Sequence, residues 1–282
     1  MPGRVALVTD STACLPEEVA QQWGIGVVQM QIKVGQQVDI ESRMPKQRLI
    51  DALRAGEQVT TAPPDPAAFF WAYQEAAANG ADAVLSVHVS ARQSRTVQAA
   101  QEAAKQAAIP VQVADSGTTG MSLGYAVLAA ARVAGAGGTM KRVVDTLRKR
   151  LSGSTELIYV DTLEYLRRGG RIGGAAALLG GAFSVKPLLV MDQGQITPLS
   201  RAIGTDRALR KLVDTAVQRA DGRPVDVAVE HFGAPARAQA LLQALVPRLG
   251  ETHEATVTDV SSSIGVHVGP GALGVALSPS DL

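Results

Sequence analysis

Short apolar runs alternate with longer stretches of mixed polarity along most of this 282-residue chain. The first run, Val5-Ala6-Leu7-Val8, ends near Asp10, and a continuous apolar run of that length predicts a buried, parallel-type strand. Pro16, Glu17 and Glu18 then open a helix, because proline suits a first turn and acids complement the helix dipole. Residues 25–32 and 33–40 predict a strand pair around Gly35. Helices are predicted at 46–54, 67–79, 93–107, 123–134 and 140–151, with strands at 83–89 and 111–114. Strands alternating with helices predict a parallel sheet covered on both faces.

Beyond Gly153 the pattern changes. A strand at 156–160 and a helical turn at 162–168 are followed by apolar runs at 188–191 and 195–199. Those runs flank Asp192-Gln193-Gly194, a hairpin signal. Strands at 225–230, 254–260 and 272–277 follow, with helices at 207–220 and 235–249. The predicted fold class is α/β in two domains. Residues 1–151 form an N-terminal parallel-sheet α/β/α domain carrying polar loops. Residues 152–282 form a C-terminal α+β domain with a mixed or antiparallel sheet. The longest apolar stretch, 172–191, contains several glycines, Lys186 and Pro187. A membrane-spanning helix needs about 20 predominantly apolar residues, so this stretch reads as a buried helix and a following strand, and no membrane span is expected.

Composition narrows the picture. Hydrophobic residues make up 46% of the chain and aromatics only 4%, so any internal cavity is lined mostly by aliphatic side chains. Such a lining suits alkyl chains better than stacked bases. The net charge of +1, with no long Lys/Arg block, argues against nucleic acid, which needs a basic face. A single cysteine, Cys14, excludes an internal disulfide and a CxxC zinc site and fits a reducing, cytoplasmic setting. The N-terminal apolar run is too short for a signal-peptide core.

Four polar signatures stand out. In Thr60-Thr61-Ala62-Pro63-Pro64-Asp65-Pro66, three prolines in four residues stiffen a segment before a helix. Its two hydroxyls either donate to an oxyanion or cap a turn. Ser90 to Thr96 lies between a strand and a helix, where open parallel sheets bind ligands. Ser94 and Thr96 are anion donors at a helix N-terminus or simple N-caps. Asp115-Ser116-Gly117 and Asp10-Ser11-Thr12 occupy the equivalent edge after other strands. His267 sits in an apolar run, read as a strand, directly before Gly269-Pro270-Gly271, and is either a core residue or a ligand group.

Other chemistries find little support. HExxH spacing is absent, and so is any Gly-Lys dipeptide, without which there is no P-loop. Gly120-Met121-Ser122-Leu123-Gly124 matches G-x-S-x-G, yet residues 116–119 separate it from the preceding strand, unlike a nucleophile elbow. Its glycines then serve close helix packing. A serine hydrolase or esterase using Ser122 or Ser94 with His267 stands as the second reading.

Taken together, the motifs resemble the DegV family of bacterial fatty-acid-binding proteins, nearly end to end. Val8-Thr9-Asp10-Ser11-Thr12 is similar to the family's V-x-D-S-T opening, and Thr60-Thr61-Ala62-Pro63 to its T-S-x-P loop. Tyr165-Leu166-Arg167-Arg168-Gly169-Gly170-Arg171-Ile172 resembles Y-L-x-x-G-G-R-I, and Lys186-Pro187-Leu188-Leu189 resembles K-P-I-L. Residues 265–271 resemble its H-x-G-P-G ending. The resemblance implies two α/β domains of EDD type with a long-chain fatty acid tunnelled between them. It implies carboxylate contacts at Thr60, Thr61, Ser94 and His267, with Arg95, Thr96 and Ser116 as further head-group candidates. It implies no metal or cofactor, the fatty acid being the ligand, and no turnover by the protein itself. The partner implied is a separate ATP-dependent fatty acid kinase feeding phospholipid synthesis.

Two departures matter. Within the family's S-S-x-L-S-G-T segment the second serine is Ala91 and the glycine is Arg95. A cation there narrows the head-group site or adds a charge partner. The basic run after the hairpin is thinned to Arg201-Ala202-Ile203-Gly204-Thr205-Asp206-Arg207. If that run meets the kinase, this chain uses a different partner. Physically, a buried carboxylate needs several donors, a protonated imidazole would add charge, and the Ala/Gly-rich stretch 169–182 either lines the tunnel or permits tight helix packing.

Overall fold

A computed structural model of the protein describes residues 3–178 and 184–281. The elements run β1 (Val5–Asp10), α1 (Glu17–Gln22), β2 (Gly26–Val28), β3 (Gln31–Val34), β4 (Gln37–Ile40), α2 (Lys46–Arg54) and β5 (Val59–Ala62). There follow α3 (Pro66–Ala78), β6 (Ala83–His88), α4 (Thr96–Ala104), β7 (Val111–Asp115), α5 (Gly120–Gly135) and α6 (Met140–Gly153). Then come β8 (Thr155–Tyr159), α7 (Glu164–Arg168), β9 (Val185–Asp192), β10 (Gln195–Ile203), α8 (Thr205–Ala220) and β11 (Val225–His231). Last are α9 (Pro235–Leu245), β12 (Thr252–Asp259), α10 (Ser262–Val268) and β13 (Leu273–Pro279).

The strands form three sheets. A parallel sheet has the order β2-β1-β6-β7. A mixed sheet has the order β10-β9-β8-β13-β11-β12, in which only β11 and β12 run parallel. A small antiparallel sheet, β4-β3-β5, stands beside them. The fold is thus α/β with a parallel N-terminal sheet and a mixed C-terminal one. The apolar run at 25–32, expected as one strand, divides: β2 joins the parallel sheet and β3 the small one. Apolarity reports burial, not which sheet a residue joins. The expected turn lies at Gly35, whose φ of 57° suits glycine.

Local chemistry sets the element ends. Pro66 opens α3, and the Asp65 carboxylate accepts the Ala67 N–H at 2.8 Å. The β9–β10 hairpin turns through Gln193 and Gly194, both at positive φ. Helix α5 is buried on nearly every side and packs between β1 and β13. Gly124 lets it approach closely, because a Cβ there would collide with the Ala13 carbonyl oxygen. A buried ion pair, Arg150 Nη2 to Asp226 Oδ2 at 2.5 Å, ties α6 to β11.

The stretch expected as a buried helix after residue 172 is a short 3-10 segment, Gly173–Leu178, in which Ala175 alone is fully buried. Glycine and alanine supply too little apolar surface to bury the segment. Residues 179–183 of that expectation lie outside the described residues. No helix of the described residues is long and apolar enough to cross a membrane.

Candidate functional site

A narrow cleft lies where the C-terminal ends of β1 and β6 face the small sheet, α10 and the mixed sheet. Its unfilled space, open mouth included, is about 610 Å³. Most of the wall is aliphatic or thioether: Met30, Val89, Ile158, Met191, Ile196, Ile264 and Val268. Polar groups gather around Thr12, Thr61, Ser94, Thr119, Arg171, Ser263 and His267.

The Asp10-Ser11-Thr12 signature works from behind this wall. Asp10 is fully buried, and its Oδ1 accepts the Thr12 N–H at 3.0 Å and the Thr12 hydroxyl at 2.5 Å. Its Oδ2 accepts the Val89 N–H at 3.1 Å and lies 3.0 Å from His88 Nδ1. The chain of contacts continues from His88 Nε2 to Ser86 Oγ at 2.7 Å and on to the Tyr73 hydroxyl at 2.8 Å. Burial pushes the Tyr73 phenol up to about 12. This network locks the loops after β1 and β6 together and holds Thr12 against the cleft.

Thr60 and Thr61 belong to a strand, β5, rather than to a loop, so they face opposite ways. Thr61 pairs with the fully buried Ile32 and lines the cleft; Thr60 pairs with Lys33 and is exposed. The structure therefore brings Thr61 to the site and leaves Thr60 outside it. Ser94 lines the cleft, with its Oγ 2.7 Å from Thr96 Oγ1. Thr96 is fully buried behind it and donates to Met30 Sδ at 3.6 Å. Arg95 is exposed and outside the cleft lining, so it neither narrows the site nor adds a charge to it. Ser116 also stays away, its hydroxyl donating to the Thr118 carbonyl at 3.1 Å within a turn.

His267 lies in a helix, α10, not in the strand expected from its apolar surroundings. Residues 263, 264, 267 and 268 recur with helical spacing on the face that meets the cleft. A run this short is ambiguous between strand and helix until its packing is known. His267 Nε2 is 2.8 Å from Thr61 Oγ1, while its buried Nδ1 has no hydrogen-bond partner. Gly169 abuts that nitrogen, and a Cβ there would collide with the ring. Burial, reinforced by the Arg171 charge, lowers the imidazole pKa to about 3. His267 is thus neutral at pH 7, and the charge that a protonated imidazole would add is not supplied by it.

The cation of the site is Arg171, which sequence reasoning quoted within a motif without giving it a role. Its Nε donates to the Gln93 carbonyl at 3.1 Å and its Nη1 to the Gly169 carbonyl at 2.7 Å. Burial lowers its pKa, yet a guanidinium stays protonated. Its Nη2 makes no hydrogen bond among the described residues. Of the described Ala/Gly-rich residues from 169 on, Arg171 itself is the one that reaches the cleft.

The hydrolase arrangement is not assembled. Ser122 is fully buried in α5 and donates to the Thr155 carbonyl at 3.2 Å. Ser94 is paired with Thr96 and His267 with Thr61, so neither serine is hydrogen-bonded to the imidazole. No cluster of three or more metal-ligating side chains occurs among the described residues.

An α/β protein of three sheets, with an aliphatic cleft that ends in polar groups, defines the class. Residues 4–280 match the profile described as "Uncharacterised protein, DegV family", and the chain belongs to the DegV family. A DegV domain-containing protein of Streptomyces coelicolor is 44% identical, with 99% of each chain covered. Among solved structures, a Thermus thermophilus DegV family protein, described by its fatty acid binding, superposes with a TM-score of 0.93 at 31% identity. That match covers 98% of this chain and 99% of the other. DegV of Bacillus subtilis, described as a fatty acid binding protein, gives 0.86 at 26% identity and covers 99% and 100%.

Proposed function

We propose that this protein binds one long-chain fatty acid in the cleft and does not turn it over. The carboxylate sits at the polar end, against Thr61, Ser94 and the free edge of Arg171, and the alkyl chain follows the aliphatic wall. The observation that carries this reading is the convergence of two hydroxyls and one guanidinium beside a neutral imidazole, at one end of an otherwise apolar cleft. In the tautomer that leaves Nδ1 unprotonated, Nε2–H donates to Thr61, and the threonine hydroxyl proton is left for the ligand. Charge-assisted bonds of this kind offset the cost of burying a carboxylate. Each buried methylene adds about 0.8 kcal/mol, so a chain of ~16 carbons contributes on the order of 10 kcal/mol gross. The fatty acid bound by the Thermus and Bacillus relatives supports the same ligand here.

In this reading the loaded protein acts in the cytoplasm and presents the carboxylate to a separate ATP-dependent kinase. Residues 1–151 supply the head-group loops, and residues 152–282 complete the tunnel. Native mass spectrometry with solvent extraction tests the binding step. One fatty-acid mass increment is expected, lost in Ser94→Ala and Arg171→Gln. An apo mass that stays unchanged after incubation with C14 to C18 acids would overturn it. The presenting role is tested by acyl-phosphate formation when loaded protein, ATP and a fatty acid kinase are mixed.

A further inference from the structure

A second cavity adjoins the cleft, sharing Thr119, Ile158, Ile264 and Val268 with it. It lies farther under α5, against the mixed sheet. An alkyl tail needs only aliphatic walls, yet two glutamates line this end: Glu156 on β8 and Glu230 on β11. Their strands flank β13, so both side chains reach the same face on either side of Gly274. They are 3% and 1% exposed. No cation pairs with either among the described residues; α5 donates the Met121 N–H to Glu230 Oε1 at 3.1 Å and the Ser122 N–H to Glu156 Oε2 at 3.3 Å. Burial raises both carboxyl pKa values, and their proximity adds to the rise at Glu156.

The two carboxyls are also hydrogen-bonded to each other, and the Cys14 thiol bonds Glu230. Glu156 Oε1 and Glu230 Oε2 lie beside Gly274, where a Cβ would come within 3.1 and 3.3 Å of them. A Cβ at Gly120 would stand 2.7 Å from Glu230 Oε2. Both glycines line the cavity, so the missing Cβ atoms keep the carboxyls open to it. Independent of the acids, two polar groups here lack a hydrogen-bond partner. The Thr119 hydroxyl oxygen is buried without a hydrogen-bond partner, and Thr119 lines both cavities. His231, 8% exposed, also lines this cavity, and its buried Nδ1 makes no hydrogen bond, with Asp259 Oδ1 3.3 Å away. Buried polar groups without partners are costly, and their retention in an otherwise apolar tunnel points to a hydrogen-bonding ligand group.

We propose that Glu156, Glu230 and Thr119 form a distal polar subsite that selects acyl chains carrying a hydroxyl or oxo group away from the carboxylate. This rests on the fatty-acid reading and names the class of chain within it. A hydroxyl would donate to a carboxyl oxygen of the hydrogen-bonded glutamate pair and accept from the unpartnered Thr119 hydroxyl. A site built to bond a hydroxyl discriminates strongly against the analogue that lacks it, because its own groups are then left unpaired.

The test is pairwise competition on delipidated full-length protein, read by native mass spectrometry. The pairs are 16-hydroxyhexadecanoate with hexadecanoate, and 10- or 12-hydroxyoctadecanoate with octadecanoate. At least one hydroxylated chain is expected to be retained tenfold over its parent. The isosteric Thr119→Val and the cradle-filling Gly274→Ala should each lower that ratio at least threefold, in samples whose circular dichroism matches the parent. Equal retention in every pair overturns the proposal, as does a preference that persists in both variants. If neither plain nor hydroxylated acids bind, the fatty-acid reading itself fails, a result distinct from both.

Discussion

Protonating His267 should destabilise the folded protein by a calculable amount. Its pKa is lowered to about 3 in the fold, first by burial and then by the Arg171 charge, from an ordinary value of 6.5. A base with a depressed pKa is neutral when folded and takes up its proton on unfolding. The associated stability is therefore fully present above pH 6.5 and is lost as the pH falls toward 3. Each pH unit in that window removes about 1.4 kcal/mol, so the loss at pH 5 is about 2 kcal/mol, and at pH 4 about 3.4 kcal/mol. Urea unfolding of lipid-free protein at pH 7.5, 6, 5 and 4.5 reads this directly, with His267→Gln as the reference. The glutamine keeps a hydrogen-bonding partner for Thr61 but does not titrate. His231 and His88 are present in both proteins and cancel. The stability gap between the two should shift in the variant's favour by about 2 kcal/mol between pH 7.5 and 5. Parallel curves would refute the assignment of a buried neutral imidazole.

Further outcomes follow from the same geometry. Thr61→Val should weaken fatty acid binding by about ten- to a hundredfold, consistent with losing a bond to a charged group worth about 1.5–3 kcal/mol; Thr60→Val, on the opposite face of β5, should leave the titration unchanged. Gly169→Ala drives a Cβ into His267. It should cost about 1–3 kcal/mol in thermal unfolding and abolish lipid retention after gel filtration. Arg150→Met leaves Asp226 buried and unpaired, and should lower stability by about 3–5 kcal/mol by urea denaturation. A loss below 1 kcal/mol there would mean that the pair is solvated in solution.

The order of elements was legible because short apolar runs and Pro/Asp starts are local signals, as at β1 and α3. What eluded the sequence depended on sheet membership and distant packing. The two threonines at 60 and 61 looked equivalent until β5 was seen as a strand, whose two-residue period turns one inward and one outward. His267 was singled out as a candidate ligand group but placed in the wrong element, since its short apolar run fits either period. Arg171 gained its role only when folding set it beside His267, 96 positions further along, a relation no local window contains. Glu156 and Glu230 lie in strands that read as ordinary apolar runs, and only the interposed β13 pairs them. Their signal was a glutamate inside each largely apolar strand, accompanied in β11 by Asp226.

The slot of β13 sets an order of assembly. It follows every other described strand in the chain, yet it lies inside the mixed sheet, between β8 and β11. The parallel sheet can close while the ribosome is still at work. The mixed sheet must hold a gap until residues 273–279 emerge, and α10, which carries His267, precedes them by only a few positions. A nascent chain can therefore assemble the Thr12 and Ser94 side of the cleft before β13 is available to close the sheet that forms its opposite wall.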